Sequence, residues 1–422
     1  MHCLSLADPS DIQPSPAGER RKVRVAYFVS HPIQYQAPLL RRIAQEPDID
    51  LTVFFSSDIS VRGYRDTGFG VHVEWDVPLL DGYKYEFLPR LRNSDKIGFA
   101  TPLNHGIFRR LRRGRFDAVW VFSYSRLVSL QAILAAALLR LPVMIRTDSS
   151  LFDRKRSAPI LLAKTIFLRL LRPGLASALS IGKGNTEYWK KYLGREFPVF
   201  TMPFAVDNDF FQRKLREAAP HREELRRKLG FGPDRPIIGF AAKLTTGKRC
   251  IDLVEAFLQI VSESGQPPGP CLLIAGDGEE RAALEARVRD SDCSDSRFLG
   301  FLNQMELPAF YDLIDIFVLP SNQDAWGLVV NEAMIAGKPV IVTDRVGCHP
   351  DLVQNGVNGF VYGAGDVKAL SECLRCLIAD PELRKRMGEN SRRIVSEYSF
   401  EQDVIGFRKA LAQAVPGFER CR

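Results

Sequence analysis

The sequence predicts an α/β protein with two doubly wound, Rossmann-like parallel-sheet domains facing a central cleft. Short β-branched runs alternate with longer helical patterns along most of the chain, which is typical of βαβ units. The length of 422 residues is long for a single hydrophobic core. Residues 206–232 interrupt the alternation with a charged segment rich in turn residues, which is typical of a connection between domains.

The first domain is expected over residues 23–205, after a flexible tail at residues 1–22 that is rich in proline and has no signal-peptide pattern. Its strands are predicted at 23–29, 51–56, 118–122, 142–146, 178–181 and 199–202, and its helices at 36–45, 127–139 and 160–171.

The second domain is expected over residues 233–398. Its strands are predicted at 237–241, 271–275, 297–299, 316–319, 340–343 and 359–361, and its helices at 250–262 and 279–290. A last helical segment within residues 399–422 is expected to pack back against the first domain.

Composition narrows the class of protein. Hydrophobic residues make up 45% and charged residues 26%, which excludes a fibrous or largely disordered chain. The net charge of +8 favours an anionic partner, such as nucleic acid, a membrane surface or a phosphorylated substrate. Nucleic acid is disfavoured because no aromatic stacking platform or known binding module accompanies the charge. Eight scattered cysteines do not resemble a disulfide framework or a zinc site, so a cytoplasmic location is expected.

The densest chemical pattern lies at residues 319–337, where a predicted strand ends at Ser321 and a helix begins near Gly327. The free amides of Gly327, Leu328 and Val329 would bind phosphate at such a helix start. Asp324 and Glu332 would then hold sugar hydroxyls and ribose on opposite sides of a diphosphate. The alternative makes Asp324 a helix cap and Glu332 a surface residue.

Two cations follow the predicted strand at 237–241. Lys243 and Lys248 lie five residues apart on the loop that leaves the carboxyl end of this strand. Such a pair suits the neutralisation of a diphosphate leaving group. The alternative is an ordinary solvated loop.

Five motifs occur in one order in the second half: Phe240-Ala241-Ala242-Lys243 with Lys248, Leu273-Ile274-Ala275-Gly276-Asp277-Gly278, Phe298-Leu299-Gly300-Phe301, Phe317-Val318-Leu319-Pro320-Ser321, and Asp324 with Glu332-Ala333-Met334 and Gly337. This series resembles the nucleotide-binding half of glycosyltransferase family 4, a retaining family with the GT-B fold. The resemblance is strong over residues 235–365 and weaker in the first half.

The resemblance implies transfer of a sugar from a nucleoside-diphosphate-sugar to a hydroxyl of a glycan or lipid-linked acceptor, in cell-envelope or exopolysaccharide synthesis. It implies that Lys243 and Lys248 hold the donor diphosphate and that Asp324 touches the donor sugar. The remaining donor contacts that it implies are ribose binding by Glu332, phosphate binding by the amides of Gly327 and Leu328, and framing of the base by Phe298 and Leu299. No metal or other cofactor is expected, because the lysines would replace a cation and no Asp-x-Asp motif lies near the donor site.

The sequence departs from the family pattern at three places. Asp324 replaces the usual glutamate, and Arg146-Thr147-Asp148 stands where relatives often have a histidine. The loop after the first strand is His31-Pro32-Ile33-Gln34-Tyr35, which resembles a subgroup with this opening. The residues expected on the acceptor or phosphate side of the cleft are therefore His31, Gln34, Tyr35, Arg146 and Asp148. A local hydrogen bond is the alternative role for His31.

Two basic stretches, at residues 109–115 and 164–172, predict peripheral contact with an anionic membrane on its inner face. The alternatives are a solvated helix end and a core helix with snorkelling cations. Two other functions stay open: a nucleotide-sugar epimerase of the same fold, and a catalytically weak sugar-nucleotide-binding scaffold in a polysaccharide assembly complex.

Overall fold

The computed structural model describes residues 21–91, 97–151, 157–263, 269–291 and 293–418, so most of the predicted tail lies outside the described residues. Within them, two parallel sheets of seven and six strands form the centres of two domains. The predicted α/β class with two doubly wound sheets is confirmed. Parallel sheets are covered on both faces, and their strands accordingly read as continuous apolar runs, as in the fully buried β10 (Ile237–Ala241).

The first sheet has the strand order β5-β2-β1-β6-β7-β8-β9. Its two faces carry separate apolar clusters, one of which includes Trp120 and the other Tyr188. The elements of this half are β1 (Val23–Val29), α1 (Ala37–Ala44), β2 (Ile49–Phe55), β3 (Tyr64–Arg65), β4 (His72–Val73), β5 (Lys84–Phe87), α2 (Ile107–Gly114), β6 (Ala118–Phe122), α3 (Leu127–Leu138), β7 (Val143–Arg146), α4 (Ala158–Leu171), β8 (Ser177–Ser180), α5 (Lys183–Leu193) and β9 (Val199–Thr201).

The second sheet has the strand order β12-β11-β10-β13-β14-β15. One large apolar cluster spans both of its faces. The elements of this half are α6 (Asn208–Ala218), α7 (Arg222–Lys228), β10, α8 (Cys250–Glu263), β11 (Cys271–Ala275), α9 (Arg281–Arg289), β12 (Ser296–Gly300), α10 (Leu307–Leu313), β13 (Ile316–Leu319), α11 (Leu328–Ile335), β14 (Val340–Thr343), α12 (His349–Leu352), β15 (Gly359–Tyr362), α13 (Val367–Ala379), α14 (Pro381–Val395) and α15 (Phe400–Ala414).

The segment expected to be a connection, residues 206–232, is folded as α6 and α7. Phe211 and Phe231 from this segment are buried in the core of the second domain. The last helix, α15, returns to the first domain, where the Phe407 ring lies 5.1 Å from the Trp120 ring. The chain therefore passes between the two domains twice.

A short antiparallel hairpin, β3–β4, was not predicted from the sequence. It lies in the segment that joins β2 to β5, and its two strands pair with each other rather than with a main sheet. This segment reaches across to the second domain: the Asn303 side chain donates to the Glu74 carbonyl at 2.6 Å, and the Asp76 carboxylate accepts from the Met305 amide at 3.1 Å.

Candidate active site

The strand orders fix where ligands can bind. In the second sheet the order reverses between β10 and β13, and in the first sheet it reverses between β1 and β6. Ligands of open α/β sheets bind at such switch points, outside the carboxyl ends of the strands. The loop with Lys243 and Lys248 follows β10, and the loop with Asp324 follows β13. The two predicted donor loops therefore share one switch point.

Direct contacts join these two loops. The Asn322 amide donates to the Gly247 carbonyl at 2.9 Å. The Lys248 ammonium forms a hydrogen-bonded ion pair with the Asp324 carboxylate, and both side chains are mostly shielded from solvent. The cation from one loop and the carboxylate from the other are thus held beside the start of α11.

Gly327, rather than Asp324, is the N-cap of α11. Its φ of 90° lies in the left-handed region, and a β-carbon there would lie 3.0 Å from side-chain atoms of both Leu319 and Val346. Backbone geometry and packing therefore require glycine at this position. Among the described residues, no acceptor bonds the amides of Gly327, Leu328 or Val329. The open donors that an anion site needs are present, while contact with an anion stays a prediction.

Glu332 is buried inside the protein, so the alternative of a surface residue is wrong. Its carboxylate accepts a hydrogen bond from the Tyr311 hydroxyl at 2.7 Å. Burial raises the pKa of Glu332 to about 7, although the Tyr311 hydrogen bond acts in the opposite direction. Nothing in the sequence pattern indicated Tyr311, which lies on α10.

Glu332 lines a cavity of about 250 Å³ that lies between the domains. Gln34 and Tyr35 of the first domain line the same cavity, which brings them opposite the predicted ribose ligand. The cavity also contains the charged side chains Arg41, Arg213, Asp76 and Asp207. None of these four was singled out from the sequence.

Lys243, the other lysine of the loop after β10, forms an ion pair with Asp66 in the β3–β4 hairpin, which was not predicted from the sequence. Both carboxylate oxygens of Asp66 accept from the Lys243 ammonium, at 2.7 and 2.9 Å. The same ammonium lies 4.8 Å from the centre of the Phe69 ring, and Phe69 packs edge-on against Phe301 at 4.8 Å. The hairpin therefore places a carboxylate on the cation that was predicted to bind the donor diphosphate.

Phe298 and Leu299, expected to frame the base, lie on β12 at the edge of the second sheet. Both are half-buried and pack against the core of the second domain. Phe301 follows them and contacts Phe69 and Trp75 of the segment between β2 and β5. The predicted base region thus lies beside the first domain.

His31 lies at the carboxyl end of β1, at the switch point of the first sheet. Its Nδ1 is 2.9 Å from the Ser30 hydroxyl, which is the local hydrogen bond weighed as an alternative. Burial, reinforced by the charge of Arg126, lowers the pKa of His31 to about 4. The ring is therefore neutral at pH 7 and offers a hydrogen bond, not a charge, to a ligand.

The prediction that Arg146 lies on the acceptor or phosphate side of the cleft is wrong. Arg146 is 2% exposed, and its guanidinium donates to the carbonyls of Met202 and Pro203 at 3.0 Å and to Asp403 of α15 at 3.2 Å. These contacts place it inside the first domain, where it ties β7 to the segment after β9 and to the last helix, and not on the acceptor side of the cleft. Asp148, in contrast, is half-exposed and lies near Tyr35. Burial raises the pKa of the Tyr35 phenol, and the negative charge of Asp148 raises it further.

Comparison with known proteins supports the interpretation of the second half. The family described as Glycosyl transferases group 1 matches residues 221–394. The chain is 30% identical over 202 residues to N-acetyl-alpha-D-glucosaminyl L-malate synthase of Bacillus anthracis, a match that covers 48% of this chain and 50% of the relative. It is 30% identical over 220 residues to the capsular polysaccharide biosynthesis glycosyltransferase CapM of Staphylococcus aureus, covering 50% of this chain and 54% of the relative. The chain thus spans about half the length of the curated relatives it matches.

Solved structures extend the likeness to the whole fold. HepE of Anabaena, in complex with UDP and glucose, superposes with a TM-score of 0.66 at 17% identity, covering 92% of this chain and 99% of that one. At this identity the likeness concerns the fold alone. The resemblance to glycosyltransferases predicted from the motifs is therefore confirmed: residues 221–394 match the family model of glycosyl transferases group 1, and the chain has the GT-B fold.

Proposed function

We propose that this protein is a retaining glycosyltransferase that moves a sugar from a nucleoside-diphosphate-sugar to a hydroxyl of a glycan or lipid-linked acceptor. The observation that carries the proposal is the junction of two loops at one switch point. There, Lys248 and Asp324 meet beside the open amides of α11. A cation and free helix amides are the groups that a departing diphosphate needs.

In this reaction the bond from the anomeric carbon to the diphosphate oxygen breaks and a bond to the acceptor oxygen forms on the same face. The acceptor proton leaves with the diphosphate or passes to solvent. Negative charge grows on the departing phosphate, so Lys248 and the α11 amides stabilise the transition state more than the bound donor. Asp324 contacts the donor sugar, and closure of the cleft excludes water as a competing acceptor.

We further propose that Glu332 binds the ribose and that no divalent cation is obligatory, because the lysines take its electrostatic role. The named activities of the relatives support the substrate class, since CapM acts in capsular polysaccharide biosynthesis and HepE was solved with UDP and glucose. We place the reaction in the cytoplasm, in cell-envelope or exopolysaccharide synthesis.

The test uses Lys248→Ala in the full chain, with Lys368→Ala on the exposed surface of α13 as the matched control. A panel of nucleotide-sugars first identifies the one that raises the melting temperature of the wild type. Removal of one preorganised electrostatic group typically lowers kcat about 100- to 1,000-fold. We expect that loss of donor turnover for Lys248→Ala and none for Lys368→Ala. Equal turnover of the wild type and both variants would overturn the assigned role.

A second candidate function is a sugar-nucleotide-binding scaffold. The pairing of Lys243 with Asp66 and of Lys248 with Asp324 favours it, since both cations are already neutralised. Stabilisation by a nucleotide-sugar without turnover, with every acceptor tried and with water, would select the scaffold over the transferase.

A further inference from the structure

Helix α4 exposes an apolar row to solvent. Leu162, Ile166 and Leu170 follow one another at four-residue spacing, and they are 62%, 50% and 76% exposed. This spacing places the three side chains on one face of the helix. Leu168, on the opposite face, is fully buried in the first domain. The apolar face that a globular protein normally buries therefore points outward.

Of the two charged side chains on the same helix, Arg169 is exposed and Lys164 points inward. The Lys164 ammonium lies 4.4 Å from the centre of the Tyr188 ring and 5.0 Å from that of Tyr192, both on α5. Cations attract the faces of aromatic rings, so Lys164 is held against α5. The usual polarity of a surface helix is thus partly inverted in α4: Lys164 contacts the protein, while the apolar row of Leu162, Ile166 and Leu170 contacts solvent.

The neighbouring helices extend this surface. Leu134 and Leu138 of α3 are 63% and 68% exposed, again four residues apart. The turn after α4 approaches α3, since a β-carbon on Gly174 would lie 3.4 Å from Ile133. Helix α2 packs on α3 and presents exposed arginines next to the apolar residues. These are Arg109, Arg112 and Arg113.

Charge identifies the kind of partner. Helix α2 contains four arginines and α4 contains one lysine and one arginine, while none of the helices α2, α3 and α4 contains Asp or Glu. A second copy of this chain, related by a two-fold axis, would bring these arginines against each other. A bilayer with anionic headgroups instead accepts the apolar row among its acyl chains and the arginines among its phosphates.

We infer that the outward faces of α3 and α4, with the arginines of α2, form a surface that docks this protein on an anionic membrane. The helix lies in the plane of the interface, and none of the helices in the described part of the chain is long and apolar enough to cross a bilayer. The inference rests on the surface and does not depend on the proposed reaction.

The test is co-sedimentation of the full chain with vesicles of phosphatidylcholine alone or in an equimolar mixture with phosphatidylglycerol. The wild type is expected to bind the mixed vesicles about tenfold more tightly than the neutral ones, and less tightly at high salt. The triple variant Leu162→Ser, Ile166→Ser, Leu170→Ser removes apolar surface that is already exposed. It should keep the melting temperature of the wild type and lose about tenfold or more in vesicle affinity.

The matched control is Val357→Ser with Ile405→Ser, two exposed apolar residues on other surfaces, and it should bind vesicles as the wild type does. The charge variant Arg112→Glu with Arg113→Glu should lose the preference for the anionic lipid. Equal binding of the wild type and the triple variant would overturn the inference. So would a wild-type dimer, seen by light scattering, that dissociates in the triple variant while neither protein binds vesicles. No nucleotide-sugar is present in this assay, so its failure leaves the proposed transfer reaction unaffected.

Discussion

On the proposed role of Lys243 in binding the donor diphosphate, Asp66 should compete with the diphosphate for this lysine, and replacing Asp66 with Asn should strengthen nucleotide binding. The Asp66 side chain is 13% exposed and that of Lys243 is 39% exposed, so solvent screens the pair considerably. Ion pairs at such positions contribute about 0.2–1 kcal/mol, which corresponds to about a 1.5- to fivefold lower Kd once the carboxylate no longer has to be displaced. Isothermal titration with the nucleoside diphosphate that best stabilises the wild type measures this change.

A double-mutant cycle isolates the competition. In a Lys243→Ala background, Asp66→Asn should leave the Kd unchanged, because the shared partner is gone. Glu74→Gln removes an equal charge from an exposed position of the same segment, outside the cavity that contains Glu332, and it controls for general electrostatics. Weaker binding by Asp66→Asn, or an equal gain in both backgrounds, would refute the reasoning.

Three further predictions concern the folded state. Because burial raises the pKa of Glu332 from 4.5 to about 7, the native state retains a proton that the unfolded chain releases. The free energy of unfolding should therefore fall by about 2.5 kcal/mol more in the wild type than in Glu332→Gln between pH 5 and pH 8. Denaturant titrations at pH 5 and pH 8 test this, and parallel slopes for the two proteins would contradict it. Arg146→Ala leaves Asp403 buried without its partner and should lower the free energy of unfolding by about 3–5 kcal/mol in urea, whereas Arg146→Met with Asp403→Leu should lose less. Gly327→Ala forces a side chain into a left-handed backbone and should lower the melting temperature by several degrees, through a loss of about 1–3 kcal/mol.

The second domain was predicted well because its strands are short apolar runs that are buried on both faces. In β10 and β13 every residue is buried, so the local pattern coincides with the three-dimensional environment. The positions of the two predicted donor loops could be predicted from the same strands, because the loops that follow neighbouring parallel strands lie at the same edge of a sheet. Lys248 and Asp324 consequently meet where the motif order placed them.

The missed features depend on pairs that are distant along the chain. Asp66 and Lys243 are 177 residues apart, and no periodicity marks the two-residue strands of the hairpin. Arg146 was predicted to be a site residue because Arg146-Thr147-Asp148 stands where members of the resembled family often have a histidine. Its partner Asp403 lies 257 residues further on, and that contact turns it into the interior. The local sequence pattern predicts where strands end, but it does not show which side chains at those ends are bonded to a distant segment of the chain.

The return of α15 to the first sheet means that the first lobe is built from two separate pieces of the sequence, while the second lobe is one continuous piece between them. A fragment that stops before Phe400 would lack α15, the helix that packs on Trp120 of the first sheet. It would also leave Arg146 without its partner Asp403. Separate expression of the first lobe should therefore give an aggregation-prone product, while fusing the α15 sequence behind β9 restores its cover. Swapping lobes between relatives to change donor or acceptor choice accordingly means exchanging either the single middle segment or both flanking segments together, so that the final helix stays with the lobe on which it packs.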